Sequence, residues 1–364
     1  MKLHKSAQAI IGVLGIGLAT TLLASTAWSA PVVTTFATGA AIGATGPDSV
    51  TVGGGSVWAE YSNGASGAGN DGRSSTVVRY GMNGAVQQTF SLSGNIDGLK
   101  YNAATNQVFA THNQDANSSL SIINAATNTV SPAIPYAVPA STTRGFDDYA
   151  FLGGTNFVTH TNPAGAPNND ILDTVNVTTN PLTTTPVLTT AATATNLKTG
   201  AVTTLGAVDT DSLKALSGNR LLVTDAAGAR AIFVTNPGAA GQSVSFLPLT
   251  DPTGTKLPSI DDVNFVTSST GTILLADPGN NRIVSIFDTA LSTSSLYVSP
   301  DTSTYFGVAN ANGVVTPYIT GVGSPHGWDF VANADVTNTV PEPASLALLA
   351  VGMVGLAGVR RRSA

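Results

Sequence analysis

Five short apolar runs each end in a residue that can ligate a metal. They are Val57-Trp58-Ala59-Glu60, Phe109-Ala110-Thr111-His112, Phe157-Val158-Thr159-His160, Leu222-Val223-Thr224-Asp225 and Leu274-Leu275-Ala276-Asp277. If the runs are equivalent strands, Glu60, His112, His160, Asp225 and Asp277 face one surface. Such a ring of carboxylates suits Ca2+, and its imidazoles extend the choice to Zn2+. Gly307-Val308-Ala309-Asn310 is a weaker sixth run. A second set precedes most of the runs: Asp48-Ser49-Val50, Asp97-Gly98-Leu99, Asp147-Asp148-Tyr149, Asp211-Ser212-Leu213 and Asp261-Asp262-Val263. An Asp at a fixed place in every unit is also what a turn or cap demands. His326 sits in a Pro-His-Gly turn, either as a loop residue or beside a metal. No catalytic residue is assigned. The chain has no Cys, no Gly-x-Ser-x-Gly and no His-Glu-x-x-His, which removes thiol chemistry, a nucleophile elbow and a zincin helix. Trp58, Tyr61 and Trp328 could stack on sugars, although Trp58 reads better as core.

These residues need a scaffold that repeats. The runs recur about every 50 residues, and each is followed by a β-branched strand such as Arg282-Ile283-Val284-Ser285-Ile286-Phe287. Four short strands per unit, repeated five or six times, is a β-propeller pattern. The fold class expected is all-β, a propeller of about six four-stranded blades, with seven as the alternative. The composition agrees. Only 10% of the 364 residues are charged, and 19 Asp stand against 2 Glu, with 38 Gly. That favours turns and strands over helices. Ser324 to Phe330 reads as a last strand closing the ring onto Val32-Val33-Thr34-Thr35. Residues 174–204 carry 13 Thr and read as a long hairpin or a partly ordered insert. The net charge of −6 argues against nucleic acid as a partner.

Asp277-Pro278-Gly279-Asn280-Asn281-Arg282 resembles the NHL repeat, a propeller motif in which Arg pairs with a carboxylate near the turn. Ala226-Ala227-Gly228-Ala229-Arg230 is a degenerate copy. Elsewhere the chain departs from that pattern, so the resemblance implies only propeller architecture.

Both ends read as targeting segments. Residues 1–29 have a basic start, an apolar stretch and a small-residue exit at Ala27-Trp28-Ser29, the pattern of a signal peptide. At the other end Pro341-Glu342-Pro343 precedes sixteen uncharged residues and Arg360-Arg361-Arg362. This order resembles the PEP-CTERM sorting signal of Gram-negative bacteria. The resemblance implies an exosortase as partner, with transient anchoring through a C-terminal helix. The expected divisions are 1–29 signal peptide, 30–331 propeller, 332–339 spacer and 340–364 sorting signal. Two functions compete. One is a surface or matrix scaffold binding exopolysaccharide or a surface protein. The other is a Ca2+-dependent lactonase-like hydrolase. A quinoprotein-like cofactor propeller is weaker, because no Trp-docking repeat supports it.

Overall fold

The repeated apolar runs form strands arranged in six sheets, described in a computed structural model for residues 30–137, 145–162 and 169–336. Each sheet is a propeller blade. Blade I is Pro47–Gly53, Ser56–Tyr61, Ser74–Gly81 and Val86–Ser93. Blade II is Ile96–Asn102, Gln107–His112 and Ser119–Asn124, with the short pieces Thr129–Val130 and Ile134–Pro135 outside. Blade III is Gly145–Leu152, Thr155–Thr161, Asp170–Asn176 and Thr183–Thr189. Blade IV is Thr210–Leu216, Arg220–Asp225, Arg230–Thr235 and Ser243–Pro248. The hairpin Thr193–Asn196 and Val202–Thr204 extends its outer edge. The Thr-rich stretch therefore completes blade III and then widens blade IV.

The last two blades are interleaved. After Val263–Asn264, the inner strand of blade V, the chain crosses to blade VI. There it builds the hairpin Gly271–Asp277 and Arg282–Asp288. It then returns to blade V for Leu296–Val298, Tyr305–Ala309 and Val315–Thr320. Blade VI is finished by Trp328–Ala332 on the inside and Val32–Thr38 on the outside. The ring therefore closes with both ends in one blade, two strands apart rather than paired directly. Leu274 to Asp277 belongs to the sixth blade, not the fifth, and Gly307 to Asn310 is a third strand rather than a second.

Each blade buries two apolar faces against its neighbours, which is why the ring must close. Trp58, Val77, Ile96, Leu99 and Val108 pack between blades I and II. Phe36, Val50, Val57, Leu274 and Ile283 seal blade VI onto blade I. Trp58, Tyr61 and Trp328 are fully buried, which makes them core residues rather than a sugar platform. The expected signal peptide, residues 1–29, and the expected sorting signal and helix, residues 340–364, lie outside the described residues. No helix among the described residues is long and apolar enough to cross a membrane.

Candidate metal centre on the propeller axis

The inner strands of blades I to IV all break register at one place. The shifts fall between Pro47 and Val50, Ile96 and Leu99, Phe146 and Tyr149, and Thr210 and Leu213. A bulge inserts an extra residue and re-aims its side chain. The residues it re-aims are Asp48, Asp97, Asp147 and Asp211. Asp261 occupies the same place before Val263, where the backbone pairs with Ser299. In blade VI the position belongs to His326, whose N–H bonds to the carbonyl of Ala276. Five aspartates and one histidine therefore form a ring on the axis. The five aspartates, with Asp148, Asp262, Lys100 and Lys214 behind them, line a cavity of about 20 Å3, room for one ion or water.

Half of this ring is neutralised internally. His326 Nδ1 bonds to Asp48 and lies 3.5 Å from Asp261, while Nε2 is 3.0 Å from Asp301. Burial alone would lower the His326 pKa, but Asp261, Asp48 and Asp301 outweigh it and hold the imidazole well above its usual value. The charged ring in turn pulls Asp301 down. Among the described residues no Lys, Arg or His forms an ion pair with the other half. One oxygen each of Asp97, Asp147 and Asp211 lie within 4.8 Å of one another. Burial pushes Asp97 up to about 7, partly offset by a hydrogen bond with Asp147. Burial and neighbouring carboxylates raise Asp147 and Asp211 well above the carboxylate range. Asp147 Oδ2 accepts from Thr161, but its buried Oδ1 has no hydrogen-bond partner. Three converging oxygens with an unmatched lone pair fit a hard divalent cation such as Ca2+. Asp97, Asp147 and Asp211 are the residues that would hold it; both His326 nitrogens are already engaged.

Glu60 lies next to this ring. It is fully buried, and neither carboxyl oxygen has a hydrogen-bond partner. Burial, then Asp48, raises its pKa well above the usual carboxylate value. Further along the axis the charges alternate. Lys100 pairs with Asp148 at 2.9 Å and Lys214 with Asp262 at 2.7 Å. Burial lowers Lys100 despite Asp148. Burial also opposes the charge on Lys214, but Asp262 and Asp148 more than offset it, and its pKa is raised. The two aspartates also join blades. Asp148 accepts from Leu213 N across to blade IV, and Asp262 accepts from Trp328 N across to blade VI. Beyond the lysines the axis opens into a cavity of about 790 Å3, whose lining includes Asn102, Gln107, Asn156, Asn264, Phe109 and Phe151.

The structure does not gather His112, His160, Asp225 and Asp277 on the axis. His112 Nδ1 meets Ser93 O at the end of blade I, and Nε2 meets Ser121 Oγ in blade II, each at 2.8 Å. His160 lies 3.0 Å from Asp173 within blade III. Asp225 pairs with Arg230 and accepts from Val208, Asp209 and Gly228 N–H groups. Asp277 pairs with Arg282 at 2.7 Å and accepts from Asn280 and Gly323 N. Arg282 is thus the carboxylate partner that its resemblance implies. Glu60 differs by one residue. Tyr61, not Glu60, stands opposite Pro47 as His112 stands opposite Ile96. A one-residue slip puts a side chain on the other face of a sheet, so Glu60 reaches the axis and His112 does not. The missing sixth ring member was His326. Its signal was the Gly327-Trp328 that follows it, matching the small or polar residue and apolar residue after each ring aspartate.

The chain is a six-bladed β-propeller that carries a C-terminal sorting segment. Residues 339–362 match the PEP-CTERM protein-sorting motif. That motif implies processing by an exosortase and export to the cell envelope of a Gram-negative bacterium. No curated protein matches the chain in sequence. Solved propellers match its shape. The periplasmic gluconolactonase of Pseudomonas aeruginosa is 12% identical, with 79% of this chain and 89% of that chain covered at a TM-score of 0.48. A streptogramin B lyase is 12% identical, with 83% and 92% covered at 0.50. A 6-phosphogluconolactonase homologue from Bacteroides uniformis, described as putative, is 14% identical, with 78% and 73% covered at 0.42. At these identities the likeness is one of fold alone.

Proposed function

We propose that the chain is an exported scaffold of the cell surface or matrix, with a divalent cation locking its axis and a glycan bound at the far mouth. The observation that carries this reading is the inequality of the two axial openings. The acidic one encloses about 20 Å3 and the other about 790 Å3. The first is the size of one ion or water. The second presents side-chain amides beside the half-buried ring of Phe151, the chemistry that receives a neutral polyhydroxylated ligand. The two lysines there do not ask for an anion, because Asp148 and Asp262 already neutralise them. Exosortase processing would release or attach the propeller outside the cell. Affinity electrophoresis of the full-length protein through the host's own exopolysaccharide tests this. Retardation by the wild type, weakened about tenfold or more by Asn156→Ala with Gln107→Ala, is expected. Free migration of the wild type would remove the glycan reading.

A second reading is a metal-dependent lactonase-like hydrolase. One observation favours it: His326, held between Asp48 and Asp301, sits in the same ring as the open carboxylates. A cation there would polarise a carbonyl, and His326 would move the proton. Hydrolysis of lactones that requires Ca2+ and disappears in His326→Gln is its signature; no turnover with Ca2+ present excludes it for the lactones tried.

A further inference from the structure

Blade III holds a second constellation, independent of the axis. His160 is the penultimate residue of the second strand of the blade, and Asp170 and Asp173 lie in the third. Residues three apart in a regular strand face opposite sides. Here register shifts between Asp170 and Leu172 and between Leu172 and Asp173 break that alternation. The result brings one donor atom each of His160, Asp170 and Asp173 within 4.8 Å of one another. All three residues are at least 97% buried, being 3%, 3% and 2% exposed.

The cluster is short of partners. His160 Nε2 lies 3.0 Å from Asp173 Oδ2, but the contact lacks hydrogen-bond geometry. Asp170 Oδ1 and Asp173 Oδ1 also have no hydrogen-bond partner. No Lys or Arg pairs with either carboxylate among the described residues. Phe146 packs its ring on His160, centroids 4.4 Å apart, and Tyr136 stacks on Phe146. Burial raises the Asp170 carboxyl, and Asp173 adds to it. Two carboxyl groups and an imidazole stand together against an apolar wall. Such a group is costly unless paired or bound to a metal.

We infer that His160, Asp170 and Asp173 form a second metal site, taking a divalent transition ion of the Zn2+ type. A charge of +2 neutralises the two carboxylates. One nitrogen and two carboxylate oxygens favour a borderline ion over the hard cation of the all-oxygen axis. Tetrahedral Zn2+ bonds of about 2.0–2.1 Å set donors roughly 3.4 Å apart, close to the present His160–Asp173 spacing. The site stands or falls separately from the function proposed above, since it shares no residue with the axis.

The test is a Zn2+ titration of the full-length, EDTA-stripped protein in detergent, with excess Ca2+ present. Calorimetry should show one saturable equivalent of Zn2+, and Co2+ in its place should give visible d–d absorption. Asp170→Asn and Asp173→Asn should each weaken Zn2+ by about tenfold or more, while Asp97→Asn leaves it unchanged. If the blade III variants fail to fold, the wild type still decides. Absence of saturable Zn2+ uptake overturns the site. So does uptake abolished by Asp97→Asn and kept by folded Asp170→Asn.

Discussion

Three carboxylates meet on the axis with no ion-pair partner among the described residues, and that fact sets the chemistry of the molecule. Asp97, Asp147 and Asp211 satisfy one another only by sharing protons or by sharing a metal. The sign of the pH dependence follows. Asp97 is raised from 3.8 to about 7 in the folded chain, so the native state holds protons that the unfolded state releases. The resulting stability is present below about pH 4 and is lost as pH rises toward 7 and above. Metal-free protein should therefore melt at falling temperature from pH 5 to pH 8, as followed by circular dichroism. Replacing one member removes repulsion. At pH 8 the metal-free Asp211→Asn variant should be more stable than the wild type by on the order of 3 kcal/mol, since unit charges within 4.8 Å of one another repel by about that much at a protein-like dielectric of about 20. Equal melting temperatures at pH 8 would count against an ionised trio.

At the scale of strands, the bulge places the chemistry. Gly98 shows how tightly it is built: a Cβ there would meet Thr111 Oγ1 at 2.5 Å, Asp147 O at 2.6 Å and Asp148 Cα at 2.9 Å. Two of those atoms are backbone and cannot swing away. Gly98→Ala should cost about 1–3 kcal/mol, read as a lowered denaturation midpoint, and should weaken the cation site with it. Asp277 does different work. It is fully buried against Arg282, Asn280 and Gly323. Asp277→Ala should cost about 3 kcal/mol without changing cation stoichiometry. These elements were legible to different degrees. Strands and blade count followed from the 50-residue recurrence, and the ring aspartates stood in it openly as Asp48, Asp97, Asp147, Asp211 and Asp261. Turn chemistry explains such aspartates equally well, so position alone did not rank them above Glu60, His112, His160, Asp225 and Asp277. Deciding between the sets required knowing the register to one residue, and the bulges that fix it leave no mark in the order of residue types. The interleaving of blades V and VI is hidden for a similar reason: nothing in the residue types marks where strands adjacent in sequence part company in space.

For the whole molecule, closure joins the two ends through blade VI. Val32–Thr38 contributes Phe36, fully buried in the cluster that seals blade VI to blade I. Phe36→Ala should therefore cost about 3–5 kcal/mol. Ring closure also gives the axis its meaning, because the six inner strands meet only when the circle is complete. The cation and the blades would then stabilise each other: an ion at a hundred times its Kd adds about 2.7 kcal/mol to folding. Calorimetric titration of the EDTA-treated, full-length protein with Ca2+ at pH 8, alongside thermal unfolding, tests this directly. One saturable equivalent and a raised melting temperature are predicted, both lost in the Asp97→Asn, Asp211→Asn double variant and both smaller at pH 5. No saturable heat and an unchanged melting temperature in the wild type would contradict the account.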